Sequence, residues 1–302
     1  MLRSVLSAVF VVVNEEIVFY CFGRELGVSS ISKCYYLIHF NRYYFLPLSS
    51  KYKAYMLNFL NQRRTIRKYT NEPIDKDLMN HLLEAACRAS NTGNMQAYSI
   101  VVTTDEKIRK ELAPTHFNQA MTTQAPAVLT FCADFNRFTK WCEQRNADPG
   151  YDNFQSFITV TVDVLLAAQT FAIAAEKEGL GICYLGTTTY NAGEITDILN
   201  LPKLVVPITT ITVGYPAESP EQTDRLPLDA VVHFETYKDY TDKDIDRLYA
   251  EKENSKIYKQ FVIENNKETL AQVFTDIRYS RKNNEFFSDK FLEVLKKQGF
   301  LK

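Results

Sequence analysis

From residue 56 onward, apolar and polar positions fall into blocks whose period switches between helical and strand-like spacing. Met56-Leu57-Asn58-Phe59-Leu60 begins an amphipathic helix. Asp75 is placed to N-cap a second helix running to about Ser90, with Leu78, Leu82, Leu83 and Ala86 on one face. Tyr98–Val102 reads as a strand, Asp105–Leu112 as a charged helix, and Ala127–Cys132, after Pro126, as a buried strand. The longest helix is expected over Phe157–Glu178, with Gly179 supplying a left-handed stop. Its middle, Val164–Gln169, is apolar around most of its circumference, which suits a core or an obligate interface. Gly181–Gly186 reads as a short strand ending in a turn, and Glu194–Leu199 as a helical turn or two. Val205–Val213 reads as a strand that ends at Gly214-Tyr215-Pro216. Val231–Tyr237 is either a last strand or an extended arm. From about Thr241 the chain becomes charged and helical, ending in Phe286–Gln298. The pattern predicts an α+β domain over residues 56–240 and a helical C-terminal extension over 241–302.

Residues 1–55 follow a different pattern. Val5–Val13 is apolar but shorter than the roughly 20 residues of a membrane span. Arg3 precedes it, as in an export signal, but no convincing small-residue cleavage site follows. The aromatic-dense pieces 34–40 and 42–47 lack sustained periodicity. The expectation is a non-native or poorly ordered extension upstream of a start at Met56, with an export signal or membrane anchor as the rival reading.

Composition narrows the class. The 302 residues are 46% apolar and 24% charged, with a formal net charge of −1. That balance is ordinary for a globular chain and argues against nucleic-acid binding through a broad basic surface. Six cysteines (Cys21, Cys34, Cys87, Cys132, Cys142, Cys183) contain no CxxC pair, and four dispersed histidines give no metal-ligand spacing. Cys132 and Cys183 sit in apolar runs and read as buried thiols, a pattern suited to a reducing, cytoplasmic setting.

The candidate chemistry lies in five polar clusters. Arg63-Arg64-Thr65-Ile66-Arg67-Lys68 gathers cations and a hydroxyl just past a short helix. A terminal phosphate wants that set, through charge-assisted and bidentate contacts, although a solvated basic turn reads the same way. Ser90-Asn91-Thr92-Gly93-Asn94-Met95-Gln96 lies between a helix and a strand, where amides and hydroxyls either cap the helix or bond a planar heterocycle. Asn94 and Gln96 lead directly into the strand. The third cluster is Phe117-Asn118-Gln119-Ala120. The fourth is the Tyr184-Leu185-Gly186 turn, where glycine would let a ring approach the backbone. The fifth is Arg225 in Asp224-Arg225-Leu226-Pro227, either a ligand or a solvated loop cation.

No GxGxxG opens a βαβ unit, and neither GxxxxGK[ST] nor GxSxG occurs. Phosphate donors without an acid/base set point to chemistry carried by a cofactor.

Taken in order, these clusters resemble the nitroreductase family of flavoproteins. The resemblance is carried by Arg63-Arg64-Thr65-Ile66-Arg67-Lys68-Tyr69 with Glu72-Pro73-Ile74, then Ser90-Asn91 through Gln96. It continues in Ala174-Ala175-Glu176 with Gly179-Leu180-Gly181, and in Val213-Gly214-Tyr215-Pro216-Ala217 with Arg225-Leu226-Pro227. The tail is similar to that of the larger, NADPH-preferring branch. The resemblance implies a mixed sheet flanked by helices, with the long apolar helix at a homodimer interface and FMN bound there. It implies ping-pong transfer of hydride from NADPH or NADH to nitroaromatic, quinone or flavin acceptors, with the chemistry on flavin N5 and no catalytic side chain. Arg63, Thr65 and Arg225 would grip the FMN phosphate with Arg64 beside them, and Arg67 would lie near the pyrimidine end of the ring. Asn94 or Gln96, together with Gln119, would reach the ring edge or ribityl chain. Tyr184, Leu185 and Gly186 would face the ring, and Ser90 and Asn91 match positions that contact flavin from an adjacent loop. No nucleic acid, metal or membrane partner is implied.

The chain departs from the family in places. Where the larger branch often has an arginine shortly after the Gly186 turn, this chain reads Thr187-Thr188-Thr189-Tyr190-Asn191, and Thr223 replaces a common lysine. Arg278, Arg281 and Lys282 are candidates for the extra phosphate of NADPH, or form a solvated helix face. A specialised flavin reaction such as reductive dehalogenation, and a flavin-binding regulatory module without turnover, remain open alternatives.

Overall fold

Four apolar runs assemble the central sheet. In the computed structural model, which describes residues 57–302 together with residues 7–13 and 16–22, the chain divides into two compact units, Met1–Lys53 and Ala54–Lys302. In the first unit, β1 (Ser7–Val13) pairs antiparallel with β2 (Glu16–Phe22). The aromatic pieces 34–40 and 42–47, and the expected start at Met56, lie outside the described residues.

The second unit opens with a short helix, α1 (57–61). It continues through α2 (Lys76–Ala86), β3 (Tyr98–Thr103), α3 (Glu106–Leu112), a turn α4 (Met121–Gln124) and β4 (Ala127–Asp134). Next come α5 (Asn136–Glu143), α6 (Phe154–Lys177), β5 (Gly181–Leu185), α7 (Ala192–Ile198) and β6 (Val205–Gly214). The tail holds α8 (Asp242–Asn254), α9 (Lys256–Glu264), α10 (Leu270–Gln272), a π-helical turn over Val273–Arg278 and α11 (Arg281–Gln298).

The strand order is β3-β4-β6-β5, and every neighbouring pair is antiparallel. The fold is the expected α+β class, but the described sheet has no parallel pair. The reason is topological: β4 and β5 run in the same direction and are kept apart by β6, inserted between them. As the central strands, β4 and β6 are buried at every position, which accounts for their continuous apolar and threonine character.

The helix α6 crosses this sheet. It starts earlier than its apolar run suggests, because Asn153 caps it by accepting the backbone N–H of Ser156 at 3.0 Å. Gly179, at φ +81°, ends it. By length and composition alone α6 is long and apolar enough to cross a membrane, yet Phe157, Val164, Ala168, Phe171 and Ala175 are buried in the core with the sheet. Fully burying a ring such as that of Phe171 contributes about 1.5–3 kcal/mol. The opposite face leaves Ile158, Val162, Leu165 and Leu166 exposed within this chain.

Other boundaries follow local caps. Asp75 accepts from the N–H groups of Asp77 and Leu78, and α2 ends at Ala86, short of Ser90. Residues 231–237 form no strand; Val231, Phe234 and Tyr237 are exposed along an irregular arm. Cys132 and Cys183 are free and buried, as is Cys142, whereas Cys87 is exposed.

Candidate functional site

Residues 63–70 cannot wander, because three backbone contacts hold them to the sheet. The Ile66 N–H donates to the Ile182 carbonyl at 3.0 Å, the Thr70 N–H to Tyr215 at 2.9 Å, and the Ala217 N–H to Lys68 at 2.9 Å. Tyr69, buried, donates its hydroxyl to the Ile66 carbonyl at 2.8 Å and lies 2.8 Å from the Thr212 Oγ1; burial pushes its pKa up. Two glycines make this close approach possible. A Cβ on Gly181 would fall 2.6 Å from the Ile66 Cβ, and one on Gly214 would fall 2.5 Å from the Pro126 Cδ. Two separate sequence motifs, Arg63–Tyr69 and Val213–Ala217, therefore lie side by side.

Each cation in the first motif faces a different neighbour. The Arg63 Nε donates to the Glu176 Oε2 at 3.0 Å, forming a largely buried ion pair. The pair is incomplete: Arg63 Nη2 and Glu176 Oε1 are both buried without a partner among the described residues. Burial raises the Glu176 pKa, with Arg63 opposing that rise. Arg64 reaches the Pro220 carbonyl at 3.0 Å. Glu218 accepts the backbone N–H groups of Arg67 and Lys68 at 2.7 and 3.1 Å, leaving the Arg67 side chain to line a cavity.

That cavity measures about 550 Å3 and gathers Arg67, Gln222, Arg225, Lys252, Tyr258 and Arg278 in its wall. Arg225 is exposed, and among the described residues its guanidinium bonds only its own loop, at Thr223 and Asp224. Asp224 holds Lys252 at 2.6 Å and the Tyr258 hydroxyl at 2.7 Å; the Lys252 bond is the main cause of its lowered pKa. The structure thus brings Arg67, Arg225 and Arg278 together. Thr65 is half-buried on the strap beside them. Arg281 and Lys282 do not line this cavity: they open α11 after the π-helical turn ends, and Arg281 pairs loosely with Glu285.

The 90–96 loop also lies apart from the cavity's lining. Gly93, Asn94 and Gln96 all have positive φ, at 57°, 54° and 50°. Asp163, buried in the middle of α6, holds the loop by accepting the N–H and hydroxyl of Thr92 at 3.0 and 3.1 Å. Asn91 accepts the Gln96 N–H, and Gln96 in turn donates to Asn94. Ser90 is exposed. On β5, Tyr184 donates to the Gln169 Oε1 at 3.3 Å, Leu185 is buried, and Gly186 stands beside open space. Burial pushes the Tyr184 pKa up to about 12. Gln119 is half-buried, on the loop after His116.

The model of the nitroreductase family matches residues 60–215. The chain belongs to the nitroreductase family. Its NAD(P)H-dependent oxidoreductase branch is also where its relatives fall. A putative oxidoreductase from Bacteroides fragilis has a structure similar to this one at 58% identity and TM-score 0.80, covering 81% of this chain and all of that one. The NfrA1 nitroreductase from Bacillus subtilis is 28% identical at TM-score 0.71, over 81% of this chain and 98% of that one. The FMN reductase (NADPH) of Bacillus subtilis is 33% identical over 205 residues, 64% of this chain and 82% of its own.

Within this nitroreductase-family fold, sequence reasoning missed Glu176, Glu218, Gln222, Lys252 and Tyr258 as parts of the site. Glu176 stood in a recognised motif, but its pairing with Arg63 spans 113 positions and has no local signature. The α8–α9 contribution had no signal beyond a charged helical pattern.

Proposed function

We propose that the chain is an FMN-dependent oxidoreductase that takes hydride from NAD(P)H and passes it to nitroaromatic, quinone or flavin-type acceptors. The observation that carries this is the gathering of Arg67 and Arg225 in one cavity; Arg63, on the same strap but outside that lining, has a buried Nη2 that lacks a partner among the described residues. An unpaired buried guanidinium nitrogen is costly unless an acceptor arrives, and a phosphate oxygen would satisfy it. The open space beside Gly186 fits the edge of a flat ring. The residues present therefore fit FMN.

In this reading Arg63, Arg64, Thr65 and Arg225 hold the phosphate, and Arg67 stabilises negative charge at the pyrimidine end of the ring. When bound, FMN supplies the two-electron chemistry. Gln119, Asn94 and Gln96 would orient the ring, with Ser90 and Asn91 beside them and Tyr184 and Leu185 behind it. Among the three tail cations, Arg278 is our choice for the extra phosphate of NADPH, because it shares the cavity with Arg67 and Arg225. Arg281 and Lys282 lie outside it.

The exposed stripe Ile158, Val162, Leu165 and Leu166 on α6 supports a homodimer. A contiguous apolar face of that kind gains by covering. A cytoplasmic location agrees with the free thiols.

Titrating the full-length protein, stripped of any bound flavin, with FMN tests the cofactor assignment. Quenching of flavin fluorescence at one FMN per chain is expected. Failure of excess FMN to bind would overturn the reading.

A further inference from the structure

The last turn of α6 brings an anion to the strap that is read above as a phosphate grip. Glu176 stands next to Lys177, where α6 ends, and pairs with Arg63 across 113 positions of chain. Its side chain is 9% exposed, and that of Arg63 is 23% exposed. Among the described residues, Glu176 is the only carboxylate in an ion pair with a cation of the strap 63–68. Glu218, the other acid at the strap, accepts the backbone N–H groups of Arg67 and Lys68 instead.

The geometry of the pair is unfinished. A guanidinium and a carboxylate side by side ordinarily form two parallel bonds. Here Nε donates at 3.0 Å, while Nη2 and Oε1 stay buried without a partner among the described residues. Glu176 therefore neutralises Arg63 without using up its donors. The strap backbone is fixed independently, because Gln222, which lines the basic cavity, donates to the Arg63 carbonyl at 3.3 Å. Tyr184, on the turn proposed to face the ring, feels both partners. Burial raises its pKa most, Arg63 lowers it and Glu176 raises it, so the pair lies within electrostatic reach of that turn. A phosphate arriving at Arg63 meets a cation that already holds an anion. Two anions on one largely buried cation repel each other, and the repulsion weakens binding of the second.

We propose that Glu176 is a resident counter-anion that competes with the flavin phosphate for Arg63. It steadies the guanidinium in the flavin-free protein, holds down affinity for FMN relative to riboflavin, and so keeps bound FMN exchangeable. The proposal rests on the flavin reading above. Glu176 is in this account a positioning and affinity-setting residue, with no part in the chemistry.

The test is the dissociation constant of FMN and of riboflavin, read by flavin fluorescence, in flavin-stripped full-length protein. Parent, Glu176→Gln, Arg63→Met and the double variant are compared at about pH 8, where a phosphate monoester is a dianion. Glutamine keeps an acceptor for Nε and removes the charge. Glu176→Gln should bind FMN about 5- to 10-fold more tightly and riboflavin equally, with FMN leaving correspondingly more slowly. In the Arg63→Met background the same substitution should move the preference for FMN by less than about 2-fold, because a buried carboxyl stripped of its cation takes up a proton. Unchanged or weaker FMN binding in Glu176→Gln would overturn the proposal. An equal gain for both flavins, or a gain that survives in Arg63→Met, would overturn it too. Glu176→Asp, which withdraws the carboxylate by one methylene, covers the case of a misfolded glutamine variant. It should move the preference toward FMN by about 2-fold, and an unmoved preference there would be equally fatal. A parent protein that binds neither flavin would overturn the flavin reading itself, and this role of Glu176 with it.

Discussion

His116 gives the sharpest prediction about pH and stability. Its side chain is fully buried, with Nδ1 2.8 Å from the Thr187 Oγ1 and Nε2 without a partner among the described residues. Burial disfavours the charged imidazolium and lowers its pKa from 6.5 to about 4. In the unfolded chain the same ring takes up a proton near pH 6.5, so between these values the unfolded state binds more protons. Stability is therefore fully present above about pH 6.5 and is lost as pH falls toward 4. The difference corresponds to about 3 kcal/mol in all, of which about 2 kcal/mol is lost between pH 7 and pH 5. The assay is urea unfolding at fixed protein and FMN concentration, followed by the fluorescence of the single tryptophan, Trp141. His116→Gln cannot titrate, so about 2 kcal/mol of that acid dependence should vanish whatever its baseline stability. An equal fall in stability between pH 7 and pH 5 in both proteins would refute the reasoning and place the proton uptake elsewhere.

Three further outcomes are expected. Arg225→Met removes a charged donor from an exposed loop, and FMN affinity measured by fluorescence titration should fall about 10-fold without change in the circular dichroism spectrum. Gly181→Ala drives a Cβ into Ile66, so thermal unfolding should show a loss of about 1–3 kcal/mol, together with weaker FMN binding because the strap must shift. Asp163→Ala strands the N–H and hydroxyl of Thr92, and should cost about 1–3 kcal/mol while hydrogen exchange at Thr92 accelerates.

Much of the fold was legible because its periodicities are strong. The strands at Ala127 and Val205, and the helix stop at Gly179, emerge where the apolar runs and the glycine put them. Boundaries shifted where a capping side chain outweighed hydrophobicity: Asn153 starts α6 three residues before its apolar run. Residues 231–237 carry a strand-like composition but find no neighbouring edge in the described sheet, and alternation alone cannot supply one. The basic strap was legible as a chemical motif, whereas its partners were not. Glu176, Lys252 and Tyr258 reach the site through contacts between residues distant in sequence, which no spacing rule reports.

The central claim is that one flavin, held by the Arg63–Arg67 strap and Arg225, shuttles an electron pair between NAD(P)H and an aromatic acceptor. Its most direct test is an anaerobic titration of the FMN-loaded, full-length protein, watched in the visible spectrum. Stoichiometric NADPH should bleach the flavin bands, and 4-nitrobenzoate added afterwards should restore them without further NADPH. Bands that persist under excess NADPH and NADH, or a bleached flavin that no aromatic acceptor reoxidises, would contradict the account.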